Sequence, residues 1–277
     1  MVAEWLNTYV GFERVLKEII TRYPEPLVDF VPDEQRGFLQ GRKPTVSFIQ
    51  GFPLASRYFR HCFPVMPLAI KQLDLSLYDV MLSNSHAVTK GVITGPHQLH
   101  VSDVDFPMRY DWVLQHQYLK ESGLDQGFIQ SLRQWQQLTS NRVDLFQTNY
   151  RFIEKRIWRH YRREAAVIPP PSDTQGFTLH KENDDFYSTA PRLVPFKRMD
   201  VIVEAFSKIP KKPVIVIGDG PEFQKIKKKS GGNVTLLGYQ PLEILADRFR
   251  TKFKARVDQA INEWSRDLLV QKTLKPL

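Results

Sequence analysis

The 277-residue chain holds one cysteine, Cys62. A single thiol forms no internal disulfide, and Cys62 has no neighbours for a metal site. This excludes a disulfide-stapled scaffold and points to a reducing compartment, the cytoplasm. A lone cysteine of this kind reads as a small core residue rather than a nucleophile. No apolar run approaches the roughly 18 residues that a membrane span needs. The opening stretch, MVAEWLNTYVGFERV, lacks the basic-then-apolar order of a signal peptide. Zinc-finger spacing, an RNA-binding aromatic signature and a helix-turn-helix are all missing, so no specific nucleic-acid partner is expected. There is no repeat at solenoid period, and no low-complexity segment beyond a short lysine run.

What is present is an ordinary globular composition, 42% apolar and 25% charged, long enough for one large or two modest domains. The net charge of +9 attracts anionic partners such as phosphorylated substrates, anionic lipid or nucleic acid. It is concentrated in KIKKK (Lys225 to Lys229) and in the alternating set Arg248, Arg250, Lys252, Lys254 and Arg256. Each cluster reads equally as a solvated helix face. The second also suits peripheral contact with the cytoplasmic face of an anionic membrane.

Period and turn signals divide the chain. NTYVGFERVLKEIITRY carries Val10, Val15, Leu16, Ile19 and Ile20 at helical spacing, with Gly11 placed to open the helix. YDVMLSNSHAVTKGVI reads as a buried strand, a polar turn at Asn84 to His86 and a short apolar segment. DWVLQHQYLKESG and FIQSLRQWQQLTSNRV read as helices, and VDLFQTNYRFIEKRIWRHY passes from a strand into an amphipathic helix. The prolines of VIPPPSDTQGF make a stiff connector. The boundaries that follow are a first domain over 1–168, a linker over 169–183 and a second domain over 184–277.

In the second half FYSTA, KPVIVIGDGPE and NVTLLGYQ read as strands, the middle one an apolar run of the kind buried on both faces of a parallel sheet. DVIVEAFSKI, EFQKIKKKSGG and PLEILADRF read as the helices between and after them. The first is expected to bury Val201, Ile202, Ala205, Phe206 and Ile209. Alternating strands and helices amount to half of a doubly wound sheet.

Open sheets of this kind bind ligands where turns leave the carboxyl ends of the strands. RLVPFKRMD lies at such a turn, with Arg192 and Lys197 five positions apart and Arg198 behind them. An arginine fork matches paired phosphate oxygens, a lysine adds a mobile charge, and the following helix N-terminus favours an anion. By spacing alone the pair reads either as a diphosphate grip or as two solvated cations. Gly218 and Gly220 in GDGPE either let backbone approach a ligand or simply end a strand.

RLVPFKRMD, IVEAF, VIVIGDGPE and NVTLLGYQP together resemble the donor-binding domain of family 4 retaining glycosyltransferases, in the bacterial mannosyltransferase-like branch. WLNTYVGFERVLKEI, LSNSHAVTKGVI, FPMRY and FIEKRIWRHYRREAAVI are similar, in consistent order, to its acceptor domain. The resemblance implies an α/β protein of GT-B type with two Rossmann-type domains. It also implies a nucleotide diphosphate sugar as donor, a carbohydrate or lipid-linked acceptor, hexose transfer with a place in polysaccharide biosynthesis, and neither metal nor cofactor. Arg192 and Lys197 would grip the diphosphate and steady the leaving group. Gly11 would sit on a loop approaching the donor, and Arg109 would border the cleft. Glu204 has a structural counterpart.

The departures are specific. The family's histidine before the proline of PMRY is Asp105 here, and a carboxylate is repelled by a diphosphate. The family's two glutamates eight apart are missing after Gln240, where only Glu243 and Glu263 occur. From Ala246 the likeness stops. Phe249, Phe253, Val257, Ile261, Trp264 and Leu268 instead form one stripe of a long helix, a surface for a protein partner. The expectation is therefore a second domain that lacks half its sheet and a first domain whose opening strand is clipped. Donor binding without turnover, or a non-catalytic scaffold, follows.

Overall fold

The computed structural model describes residues 1–4, 11–22, 39, 41, 44–53, 59–108, 126–171 and 186–240. The chain divides into two compact units, Met1–Pro171 and Ser172–Leu277. The expected helix in 111–123, the helix starting at Pro241 and the apolar stripe of the tail lie outside the described residues, as does Arg109. Among the described residues no helix is long and apolar enough to cross a membrane.

The first unit is built on four parallel strands in the order β1 (Val80–Ser85), β2 (Leu99–Val104), β3 (Leu145–Thr148) and β4 (Ala165–Val167). Val2 joins the free side of β1 in parallel, its N–H donating to Leu82 O and its carbonyl accepting from Asn84 N–H.

Helix α1 (Gly11–Arg22) opens at the expected glycine and buries Leu16 and Ile20, one turn apart, against Ala3 and Leu39. Helix α2 (Met66–Lys71) buries Met66, Ala69 and Ile70 in the main core with Val2, Met81 and Val88. Cys62 packs half-buried against this cluster, where burial pushes its thiol up, away from the reactive thiolate form.

Helices α3 (Gln126–Ser140) and α4 (Arg151–Tyr161) follow the period of the sequence. Ile153, Ile157 and Tyr161 fall at four-residue spacing and close on Val104, Val143 and Phe146. Helix α4 ends where Arg162 turns left-handed at φ 56°. Next to it the Arg163 guanidinium donates to the carbonyls of Ser140, Val143 and Asp144 and lies 5.5 Å from the Phe146 ring centroid. This side chain ties the end of α3 to the start of β3.

Strand β2 has no counterpart in the sequence reading, and the reason is chemical. Its buried face carries His100 and Ser102, not an apolar series. Ser83 Oγ bonds both His100 Nε2 at 2.8 Å and Ser102 Oγ at 3.0 Å, so a polar network replaces hydrocarbon between β1 and β2. Burial holds His100 down at about 4, a neutral ring.

The second unit has three parallel strands in the order β5 (Tyr187–Thr189), β6 (Val214–Ile217) and β7 (Val234–Gly238). The apolar β6 is central, as its composition requires. Helices α5 (Met199–Ser207) and α6 (Phe223–Lys229) complete the alternation. The buried face of α5 matches the expected one in part, since Ile202 and Phe206 pack against the core as expected. Met199 and Val203 enter the core with Leu193, Val214, Val216 and Ile226, while Ala205 and Ile209 face solvent. Arg198, left-handed at φ 51°, precedes the helix, which ends at Ser207, so Ile209 lies beyond it.

Lys90 is buried, its Nζ donating to Ala87 O while lying 5.7 and 5.3 Å from the Trp135 and Tyr161 ring centroids. Gly91 beside it leaves room for Trp135: a Cβ there would stand 2.3 Å from the ring. Gly91→Ala is therefore expected to lower stability by about 1–3 kcal/mol through forced repacking. Urea denaturation of the purified variant checks this, and an unchanged midpoint would show the ring moves at no cost.

Candidate functional site

The carboxyl end of the second sheet is shaped by two turns locked together. After β5 the chain runs through Pro191, Arg192 and Leu193 into a 3₁₀ turn, Pro195–Lys197, and then into α5. After β6 it runs through Gly218, Asp219 and Gly220 into α6. Leu193 N–H donates to Asp219 O at 3.0 Å, and Glu222 N–H donates to Leu193 O at 3.1 Å. The Leu193 side chain, 0% exposed, plugs the core beneath them. Burying it stabilises the turn by about 1.5–3 kcal/mol.

The two glycines make this contact possible. A Cβ on Gly218 would stand 2.1 Å from Pro191 O, and one on Gly220 would stand 2.4 Å from Leu193 O. Their φ values of 143° and 155° are likewise unsuited to other residues. The backbone that crowds Gly218 and Gly220 is thus the chain's own segment carrying Arg192.

Arg192 and Lys197 are both exposed, and among the described residues neither side chain forms an ion pair. Arg198 differs, because its Nε lies 3.3 Å from Asp200 Oδ1. Burial pushes the Asp200 carboxyl up. The hydrogen bond and charge of Arg198, the charge of Lys225 and the Val201 N–H outweigh that and hold it below its usual range. Arg198 is thereby neutralised locally, which leaves Arg192 and Lys197 as the open pair at this turn. Helix α5 begins directly behind them with no side-chain cap. Its first turn contributes partial positive charge toward an anion. Glu204 lies on the outer part of α5 with Lys208 and Lys229, in keeping with a structural role.

The first unit carries a chemically opposite edge. Asn84, Asp103 and Gln147 lie in one row across β1, β2 and β3, and Asp105 follows two residues after Asp103. Asn84 Nδ2 donates to Asp103 Oδ2 at 3.0 Å, and Asn149 Nδ2 donates to Asp105 Oδ1 at 3.2 Å. Burial, then the charge of Asp105, raises Asp103 to about 7, against bonds from Asn84 and Gln147 that lower it. This edge sets two carboxyl groups close together, which is the opposite of a phosphate cradle. Gly11, the other residue expected near the donor, opens α1 in this unit. The positions expected at the donor thus fall in both units: Arg192, Lys197, Gly218 and Gly220 gather at one turn pair, while Gly11 and Asp105 belong to the first unit.

Sequence reasoning missed Glu4. Fully buried, its Oε1 accepts from the N–H groups of Ala87, Val88 and Thr89, and its Oε2 lies 2.9 Å from His86 Nδ1. Burial raises its pKa, but the charge and hydrogen bond of His86 and the backbone donors prevail and lower it. An acid in the apolar opening MVAEW was the one available signal.

A scan of protein-family models finds no match, and a search of curated protein sequences finds none. Solved structures do match, and they define the class of fold: the chain has the GT-B fold of glycosyltransferases. One is the lipopolysaccharide outer core galactosyltransferase WaaB in its apo form, with TM-score 0.53 and 15% identity, covering 91% of this chain and 71% of that one. Another is Anabaena Alr3699/HepE in complex with UDP-glucose, with TM-score 0.53 and 14% identity, covering 87% of this chain and 69% of that one.

Two variants test the geometry. Gly220→Ala puts a methyl against Leu193 O and should cost about 1–3 kcal/mol, the scale of local backbone strain. Chemical denaturation reads this directly, and wild-type stability would show the turns part freely. For Asp103, a folded pKa near 7 lies above the ordinary 3.8. Its contribution is present at low pH and lost as pH rises through that window. Asp103→Asn should therefore gain in Tm relative to the wild type as pH rises from about 5 to about 8. A Tm difference that is constant with pH would contradict the raised value.

Proposed function

We propose that this chain is a glycosyltransferase by lineage whose second unit binds the diphosphate of a nucleotide sugar at Arg192 and Lys197. The observation that carries this reading is the turn pair itself. Two open cations follow a parallel strand's carboxyl end, on a turn held by the Leu193 hydrogen bonds and backed by a helix N-terminus. In a transferase the same pair stabilises the departing nucleoside diphosphate as charge develops on it. The substrate class is a hexose, mannose among the candidates, on a nucleotide diphosphate. The acceptor is a carbohydrate or a lipid-linked carbohydrate. That the Anabaena protein was solved with UDP-glucose supports a uridine or similar nucleotide as the first probe.

A second reading is a non-catalytic binding protein of the same fold, and one observation favours it. Asp105, standing where the resemblance expects a histidine, is engaged by Asn149 and coupled to Asp103. A carboxylate so held neither donates to a sugar hydroxyl nor attracts a diphosphate. Transfer needs diphosphate, ribose and sugar held together, because each contact helps place the anomeric carbon. We therefore infer diphosphate binding without measurable transfer or donor hydrolysis by the 277-residue chain alone.

Calorimetric titration with UDP and GDP tests the grip. Arg192→Ala and Lys197→Ala should each weaken binding by about 1.5–3 kcal/mol, the range for charged hydrogen bonds, with further loss in added salt. Equal affinity for the wild type and the double variant removes the assignment. Incubation with UDP-glucose and GDP-mannose tests turnover. Product that disappears in Arg192→Ala would restore a competent enzyme.

A further inference from the structure

Helix α4 of the first unit carries a feature that the diphosphate reading does not use. Ile153, Ile157 and Tyr161 turn one of its faces into the core. Arg151, Phe152, Lys155, Trp158 and Arg159, with Arg162 at the helix end, therefore make up the opposite face. All six are exposed, Phe152 at 46% and Trp158 at 52%.

Folding explains the neighbouring arginines but not these. Arg156 lies 4.9 and 4.7 Å from the ring centroids of Phe106 and Phe152, which helps to hold the Phe152 ring in place. Arg163 is taken up by backbone carbonyls. Among the described residues, Arg151, Lys155, Arg159 and Arg162 form no ion pair. Cations near a helix C-terminus complement its dipole, which accounts for Arg159 and Arg162. The same dipole disfavours Arg151 in the first turn, and it says nothing of the two rings. Glu154, the acid of this helix, is half-buried at the edge of the core face.

The spacing couples charge to ring. Lys155 stands three residues from both Phe152 and Trp158, and Arg162 stands four beyond Trp158. Each ring thus has a cation within one helical turn, about 5.4 Å along the axis. A fitting ligand offers flat apolar faces with negative charge beside them. A sugar ring with a carboxylate substituent does so: its C–H face covers an aromatic ring while the carboxylate meets the adjacent cation. A bilayer fits less well, because the apolar stripe of α4 is already in the core. A single nucleic-acid strand is held in a groove, and the outer face of a helix is convex.

We propose that this face of α4 binds an acidic polysaccharide, with sugar rings on Phe152 and Trp158 and ring carboxylates on Arg151, Lys155, Arg159 and Arg162. The inference concerns the first unit alone and stands independently of the nucleotide-sugar reading.

Calorimetric titration of the full chain with an alginate oligosaccharide, a polyuronate, tests it. Alginate should bind at low salt and weaken as salt is added, whereas neutral dextran should give no heat. Trp158→Ala should weaken alginate binding at least about fivefold, the scale for losing an aromatic anchor. Trp158→Tyr should keep most of the affinity. Because Trp158 lies outside the core, both variants should keep the wild-type Tm. The double variant Lys155→Gln, Arg159→Gln should lose affinity and much of the salt dependence, and Arg192→Ala should change nothing. Absence of alginate binding, or equal affinity in the wild type and Trp158→Ala, would overturn the proposal. So would equal displacement of alginate by polyphosphate or by phosphatidylglycerol vesicles, which would mark a surface that reads charge alone.

Discussion

The second unit depends on one close approach. Leu193 gives its N–H to Asp219 and takes one from Glu222, and that exchange forces Gly218 and Gly220 to lack side chains. With Leu193 locked into the core, the exposed Arg192 before it and the 3₁₀ turn bearing Lys197 after it lose most of their backbone freedom. A cation pair on a free loop would have to be ordered at the expense of binding. On this turn that ordering is already done by folding. The glycines act on the proposed diphosphate site at one remove.

The first unit solves a different problem at the same edge. Its backbone donors at Ala87, Val88 and Thr89 are satisfied by the chain's own Glu4, so this small anion-binding corner is occupied from within. Asp103 and Asp105 lie close by in the sheet, and burial and the charge of Asp105 raise Asp103 to about 7. The two units therefore differ in what these edges carry, exposed cations on one and neighbouring carboxyls on the other.

Much of the second unit was legible in the sequence because its signals are redundant. The apolar run of β6, the glycines after it and the periodicity of α5 and α6 all point one way, and the cations at Arg192 and Lys197 fall at the turn that topology marks for ligands. The first unit was less legible, for physical reasons. His100 and Ser102 carry β2 through the interior by hydrogen bonds, so the strand does not look apolar. Glu4 and Lys90 are buried charges whose partners lie far along the chain, and no local spacing announces them. The face of α5 was legible in part: Ile202 and Phe206 pack against the core, but the helix ends at Ser207, before Ile209, and also buries Met199 and Val203. Gly218 and Gly220 read in the sequence either as positions of ligand approach or as a strand end, and the group that approaches them is the Pro191 to Leu193 backbone.

The central claim is that a locked turn presents Arg192 and Lys197 to a diphosphate. Phosphorus NMR of UDP titrated with the protein tests it most directly, since it reports on the phosphates themselves. The account predicts that both phosphorus resonances shift and broaden with the wild type, and that both effects are lost in Arg192→Ala and reduced in Gly220→Ala. Resonances unmoved by the wild type, or moved equally by Arg192→Ala, would contradict it.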